Sequence, residues 1–227
     1  MRLKKVVSMP KTREYQVLFE AFAQEGCAIC HIAQQSTHRY LATWKYELFT
    51  DAEIRNDLRK SRGFCHTHTW ALARMGASLQ LAQAYRDIIT DTTEQLQGAE
   101  VPGNLLRRIF DTPSPQREHA PCPACLQQQK AEQYALDTLR KALPDDEFYA
   151  RFASSSGLCL EHFYQACTGN NGDWLVRLKK AQVVCLQRLE QQLSELIRKH
   201  DYRFKDEERG VEMISWKWAA GLVAGKE

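Results

Sequence analysis

The chain has 227 residues, 44% hydrophobic and 26% charged, which suits one large or two small cored domains and argues against a disordered chain. Lys and Arg outnumber Asp and Glu by only 31 to 28, so a net charge of +3 does not support nucleic-acid binding. The start, MRLKKVVSMPK, lacks the apolar core of a secretory signal, and the most apolar late stretch, 216–225, is interrupted by Lys217 and too short to span a bilayer. The expected compartment is therefore the cytoplasm.

In chain order, residues 1–12 read as a basic lead-in. Tyr15, Leu18, Phe19 and Phe22 recur at helical spacing and predict a helix over 13–24, which Gly26 can end. Cys27-Ala-Ile-Cys30 opens a second helix to about residue 49, with Ile32, Tyr40, Leu41, Trp44 and Leu48 available for burial. Thr50-Asp51-Ala52-Glu53 has the form of a capping box and announces a helix to about residue 60, broken by Gly63. A short helix over 65–75 and a longer one over 79–96 follow. The stretch 98–121 holds four of the seven prolines and reads as a connector, with a short helix at 105–110.

The order of elements then repeats. Helices are predicted over 122–143, from the Pro144-Asp145-Asp146-Glu147 start to Gly157, over 159–168 and over 174–199. In the last of these Leu175, Leu178, Cys185, Leu189, Leu193 and Leu196 form one apolar stripe. A final helix is expected over 211–224. The resulting organisation is a helical repeat at 13–98, a connector at 99–121, a second helical repeat at 122–200 and a helical tail at 201–227. No alternating β-rich run competes, so the fold class is all-α, a duplicated helical bundle.

The repeat carries chemistry. Gly63-Phe64-Cys65-His66-Thr67-His68 is echoed by Gly157-Leu158-Cys159-Leu160-Glu161-His162, and each Cys-x-x-His lies downstream of a Cys-x-x-Cys, at Cys27/Cys30 and Cys122/Cys125. Between Cys30 and Cys65 there are 34 residues, and between Cys125 and Cys159 there are 33. An offset of 95 superposes the first pairs and an offset of 94 the second, together with Ile54 on Phe148 and Leu58 on Phe152. Matched ligand types, helix breaks and core positions point to duplication of one unit.

In a reducing compartment eight cysteines argue for metal rather than disulfides. Two Cys3His sets, one per half, would be Cys27, Cys30, Cys65 and His68, then Cys122, Cys125, Cys159 and His162. Thiolate and imidazole suit Zn2+, one ion per set, and a closed set leaves no open position for substrate. Helix starts favour thiolates, and i,i+3 spacing puts Cys and His on one face. Iron–sulfur clusters are the competing cofactor, since thiolates serve both chemistries. A redox dithiol, suggested by Cys-Pro-Ala-Cys, would leave the Cys-x-x-His pairs without a role. His66 and His31 are replaced by Leu160 and Leu126 in the other half and read as polar neighbours; Cys185 reads as a core thiol, and Cys167 as a core thiol in preference to a reserve sulfur for the site. No Gly-x-Ser-x-Gly, phosphate-binding loop, dinucleotide fingerprint or di-iron pattern is present, so enzymatic activity is not supported.

The two Cys-x-x-Cys…Gly-[Phe/Leu]-Cys-x-x-His halves, with Lys199 to Phe204 and then Glu207, Gly210, Glu212, Ser215, Trp216 and Ala219, resemble an uncharacterised prokaryotic family with this duplicated pattern. The resemblance implies the same eight ligands and gives weight to Asp201-Tyr202-Arg203-Phe204, but it carries no activity. Ala28 stands where that family tends to have Pro, as at Pro123. The expectation is a non-enzymatic structural-zinc protein acting as an interaction or regulatory module, with another protein as partner. An iron–sulfur electron-transfer or redox-sensing protein is the alternative, and a nucleic-acid module rests only on weak basic charge.

Overall fold

The computed structural model describes residues 11–98, 120–169 and 171–225. The short helix expected at 105–110, most of the connector and nearly all of the basic lead-in lie outside the described residues. Those residues contain ten α-helices and no strand. In order they are α1 (Arg13–Ala21), α2 (Ala28–Tyr46), α3 (Ala52–Lys60), α4 (His66–Arg74), α5 (Ser78–Gly98), α6 (Pro123–Ala142), α7 (Asp146–Ser154), α8 (Leu160–Cys167), α9 (Asp173–Lys199) and α10 (Ser215–Ala224). No helix among the described residues is long and apolar enough to cross a membrane.

Two expected boundaries are corrected. The start of α3 is capped by Asp51 rather than Thr50, because Leu48–Thr50 forms a 3-10 turn that ends beside Asp51. Asp51 Oδ1 accepts from the Glu53 and Ile54 N–H groups at 2.9 and 3.1 Å. The last helix is likewise divided, with a 3-10 turn at Val211–Ile214 before α10.

The chain divides into two compact units that do not follow the sequence repeat. One consists of the chain up to Gln34 and from Lys130 onward; the other is Gln35–Gln129. The chain passes from one to the other within α2 and again within α6.

In the first unit, α1 packs on α7. Phe148 is fully buried, with the rings of Tyr15 and Phe22 at 5.0 and 5.4 Å, and Phe22 also meets Phe152 at 5.3 Å. Leu178 and Ala181 of α9 complete this core, and α10 packs on α8 and α9. The tail is tied down by Lys199 Nζ, 2.9 Å from Glu212 Oε1, which also accepts from Gly210 N–H at 2.7 Å. Asp201 caps the 3-10 turn Tyr202–Phe204, and the Arg198 guanidinium lies 4.4 Å from the Phe204 ring centre.

In the second unit the core is Leu41, Trp44, Leu58, Phe64, Leu72, Ala77, Ala84 and Ala124, with Trp44 and Phe64 edge to face at 5.1 Å. Arg55 and Arg59 of α3 pair with Asp87 and Asp91, one turn apart on α5.

Candidate metal centres

The local sequence places each donor at a helix start. Cys65 is the N-cap of α4 and Cys159 that of α8, so His68 and His162 fall three residues into the helix, facing back to the cap. The cap sulfur reaches the histidine Nδ1 at 3.2 Å in the first case and 3.1 Å in the second. Cys27 and Cys122 immediately precede α2 and α6, and Cys30 and Cys125 sit one turn further on. Thiolates at these positions gain from unpaired N–H groups and the helix dipole.

The glycine before each Cys-x-x-His turns the chain into it. Gly157 has φ +76°, and a β-carbon there would meet Gln182 Oε1 at 2.9 Å and Cys185 Cβ at 3.0 Å. The buried Gln182 accepts from Leu158 N–H and donates to Leu158 C=O, both at 2.9 Å, fixing the strand of chain that delivers Cys159. Gly63 has φ +96° and stands against Tyr85, which is 2.6 Å from the Thr69 hydroxyl; Thr69 in turn donates to Phe64 C=O.

All eight sequence-predicted donors come together in two groups of four, but not in the expected pairing. Cluster I is Cys27, Cys30, Cys159 and His162; cluster II is Cys65, His68, Cys122 and Cys125. Each Cys-x-x-Cys therefore meets the Cys-x-x-His of the other sequence half. The correction has a packing origin: the α1 aromatics bury themselves on α7 and so carry Cys27 to α8, and each cluster lies within one compact unit.

In each cluster the donor atoms lie within 4.8 Å of one another. In cluster I, His162 Nδ1 is 3.6 Å from Cys27 Sγ, 3.4 Å from Cys30 Sγ and 3.1 Å from Cys159 Sγ, and the sulfurs of Cys30 and Cys159 are 3.7 Å apart. In cluster II, His68 Nδ1 is 3.2, 3.6 and 3.5 Å from the sulfurs of Cys65, Cys122 and Cys125, and the Cys65 and Cys125 sulfurs are 3.7 Å apart. Both groups could hold a metal ion.

The electrostatics of crowding are plain in both. Contacts with Cys159 and Cys30, then burial, push the Cys27 thiol up, while contacts with Cys27 and Cys30 hold Cys159 well below the usual thiol range. Burial works against charge on His162, but the Cys159 and Cys30 sulfurs outweigh it and hold the imidazole up at about 10. In cluster II burial, then Cys65 and Cys122, push Cys125 up to about 12, and burial pulls His68 down. Several sulfurs in one small volume cannot all ionise alone; a divalent cation replaces their protons and reverses that balance.

Residues outside the clusters also resolve. His66 is exposed and meets the Trp70 ring edge-on at 6.4 Å. His31 is buried with Nε2 2.6 Å from Glu25 C=O. Cys185 is a core thiol against the Phe152 and Ala153 carbonyls, and Cys167 is half-buried at the end of α8. Sequence reading missed Glu132, whose Oε1 lies 3.7 Å from His162 Nε2, and also Gln182. Glu132 is ten residues past Cys122 on a helix that looks ordinary, and nothing in the sequence marks it.

An all-α chain built around two four-donor Cys/His clusters is thus the class that fold and site define. The chain belongs to DUF6062, a family of unknown function, whose model matches residues 18–212. That match includes all eight donors and Asp201–Phe204, and ends before Ser215 and Trp216. The chain is also similar to an uncharacterized 23.9 kDa protein of Caldicellulosiruptor sp. (strain Rt8B.4), with 28% identity over 72 residues, 32% of this chain and 35% of the relative. The alignment thus spans about a third of that relative. No solved structure matches the chain.

Proposed function

We propose that the protein is a non-enzymatic helical metalloprotein in which clusters I and II are structural zinc clips, and that it works as an interaction or regulatory module in the cytoplasm. The observation that carries this reading is the set of donor separations. Tetrahedral zinc, with its ordinary bond lengths to sulfur and nitrogen, requires ~3.8 Å between sulfurs and ~3.5 Å between sulfur and nitrogen. In each cluster the three sulfur–nitrogen edges, at 3.1–3.6 Å, and one sulfur–sulfur edge, at 3.7 Å, lie close to those of such a tetrahedron, and all four donor atoms fall within 4.8 Å of one another. An iron–sulfur core binds its cysteines through different irons and needs donors spread wider than a single ion does.

With all four positions filled by protein, the ion supplies cross-linking rather than an open coordination site. Each clip joins helix starts that are far apart in the chain, so binding energy becomes folding energy. The eight thiols favour a reducing compartment. A protein partner is proposed for the tail, where Tyr202, Val211 and Trp216 are 81%, 65% and 55% exposed on a segment tied to the body through Lys199 and Glu212.

The test is metal analysis with an absorption spectrum on protein purified without oxygen. About two zinc ions per chain and no visible absorption support the reading. Brown protein with iron and acid-labile sulfide replaces it with the iron–sulfur alternative, and a fully folded, metal-free protein overturns both.

A further inference from the structure

The two clusters are built from the same repeat and are not equivalent. The donors of cluster I, Cys27, Cys30, Cys159 and His162, are 4%, 8%, 1% and 4% exposed. In cluster II His68 is buried, but Cys65, Cys122 and Cys125 are each only half-buried. A competing ligand displaces a metal one donor at a time, so accessible sulfurs set the route by which an ion leaves.

A second difference concerns the imidazoles. His162 Nε2 lies 3.7 Å from the Glu132 carboxylate, within ion-pair reach though longer than a hydrogen bond, and the Glu132 side chain is only 16% exposed. In the other half the position ten residues past the first cysteine is Thr37, buried and uncharged. A carboxylate behind a ligating histidine holds the proton on Nε2, presents the Nδ1 lone pair to the ion and strengthens it as a ligand; loss of such a partner typically costs about 10–100-fold in metal affinity.

We propose that Glu132 is a positioning residue that makes cluster I the retained metal centre, and that cluster II is an exchangeable centre from which a thiophilic cation can pass to a competing ligand. The inference rests on the metal reading above. Cluster I then maintains the α1–α7–α8 core, while cluster II is where the metal supply of the cell, or a partner with its own thiolates, acts on the protein.

The experiment uses the full chain loaded with two equivalents of zinc and challenged with excess pyridylazoresorcinol, followed by absorbance with cysteine alkylation and peptide mass spectrometry. Two phases separated at least tenfold in rate are expected, and Cys65, Cys122 and Cys125 are labelled in the fast one. Glu132→Gln speeds the slow phase by about 10–100-fold and leaves the fast phase unchanged; Glu132→Asp falls between. The fast phase is the internal control, since a general loss of structure moves both.

A single phase, early labelling of Cys27, Cys30 and Cys159, or a Glu132→Gln effect that is nil or equal on both phases overturns the proposal. Failure to load zinc overturns the metal reading itself, and it is seen before any chelator is added.

Discussion

Cys30 Sγ and Cys159 Sγ lie 3.7 Å apart although 129 positions separate them in the chain. Cys65, only 35 positions from Cys30, instead meets Cys125 at the same distance. Closing the longer loop is nearly two doublings of length, an entropic difference of about 1 kcal/mol. Burying a single phenylalanine contributes roughly 1.5–3 kcal/mol. Phe22, Phe148 and Phe152 together therefore outweigh the shorter closure, and the crossed pairing wins.

The crossed pairing predicts which cysteines are released together. In zinc-loaded His162→Ala, alkylation should reach Cys27, Cys30 and Cys159 and spare Cys122 and Cys125. In His68→Ala the released set should be Cys65, Cys122 and Cys125. Labelling of Cys122 and Cys125 in the His162→Ala protein would show pairing within each sequence half.

Phe148→Ala should cost about 3–5 kcal/mol, because the ring is fully buried among Tyr15, Phe19 and Phe22. Its effect on metal should be selective. Without that ring α1 no longer holds Cys27 against α8, so cluster I weakens while cluster II keeps its affinity. Urea unfolding with competitive zinc titration reads both, and an equal loss at the two clusters would contradict the role assigned to the α1–α7 contact.

Gly157→Ala should destabilise more than Gly169→Ala. Both glycines have positive φ, at +76° and +68°, which costs an alanine on the order of 1–2 kcal/mol. Only at Gly157 does a β-carbon also meet Gln182 and Cys185, whereas nothing lies within 4 Å at Gly169. The extra overpacking adds roughly 1–3 kcal/mol, and calorimetric melting of the two variants measures the difference. Equal melting temperatures would mean that Gln182 yields freely.

The Lys199–Glu212 pair predicts an acid-sensitive tail. Lys199, helped by the Gly210 N–H, pulls the Glu212 carboxyl from 4.5 down to about 2. The folded protein therefore prefers the ionised carboxylate. That preference contributes fully above the unfolded value and is lost as pH falls from about 4.5 toward 2. Trp216 and Trp218 fluorescence should report loosening of α10 in that window, beyond any change caused by metal loss. Glu212→Gln should lack this component, since it cannot ionise; an identical acid profile for variant and wild type would remove the pair from the account.

Helix-period apolar spacing, the glycines at 63 and 157 and the duplicated Cys/His pattern are enough to read the all-α class, most helix positions and the eight Cys and His residues that folding gathers into two groups able to hold a metal ion. They suffice because period, backbone sign and ligand chemistry are local properties. The capping box at Thr50 was misplaced by one residue, since a 3-10 turn with no sequence mark precedes α3. What only the tertiary structure decided is which Cys-x-x-Cys faces which Cys-x-x-His. The spacings of 34 and 33 residues permit either pairing, and the choice belongs to α1 burying its aromatics on α7, a contact between residues about 130 positions apart. The same holds for Glu132 and Gln182. Each is a polar residue on a helix, distinguished only by the histidine or backbone that folding brings beside it.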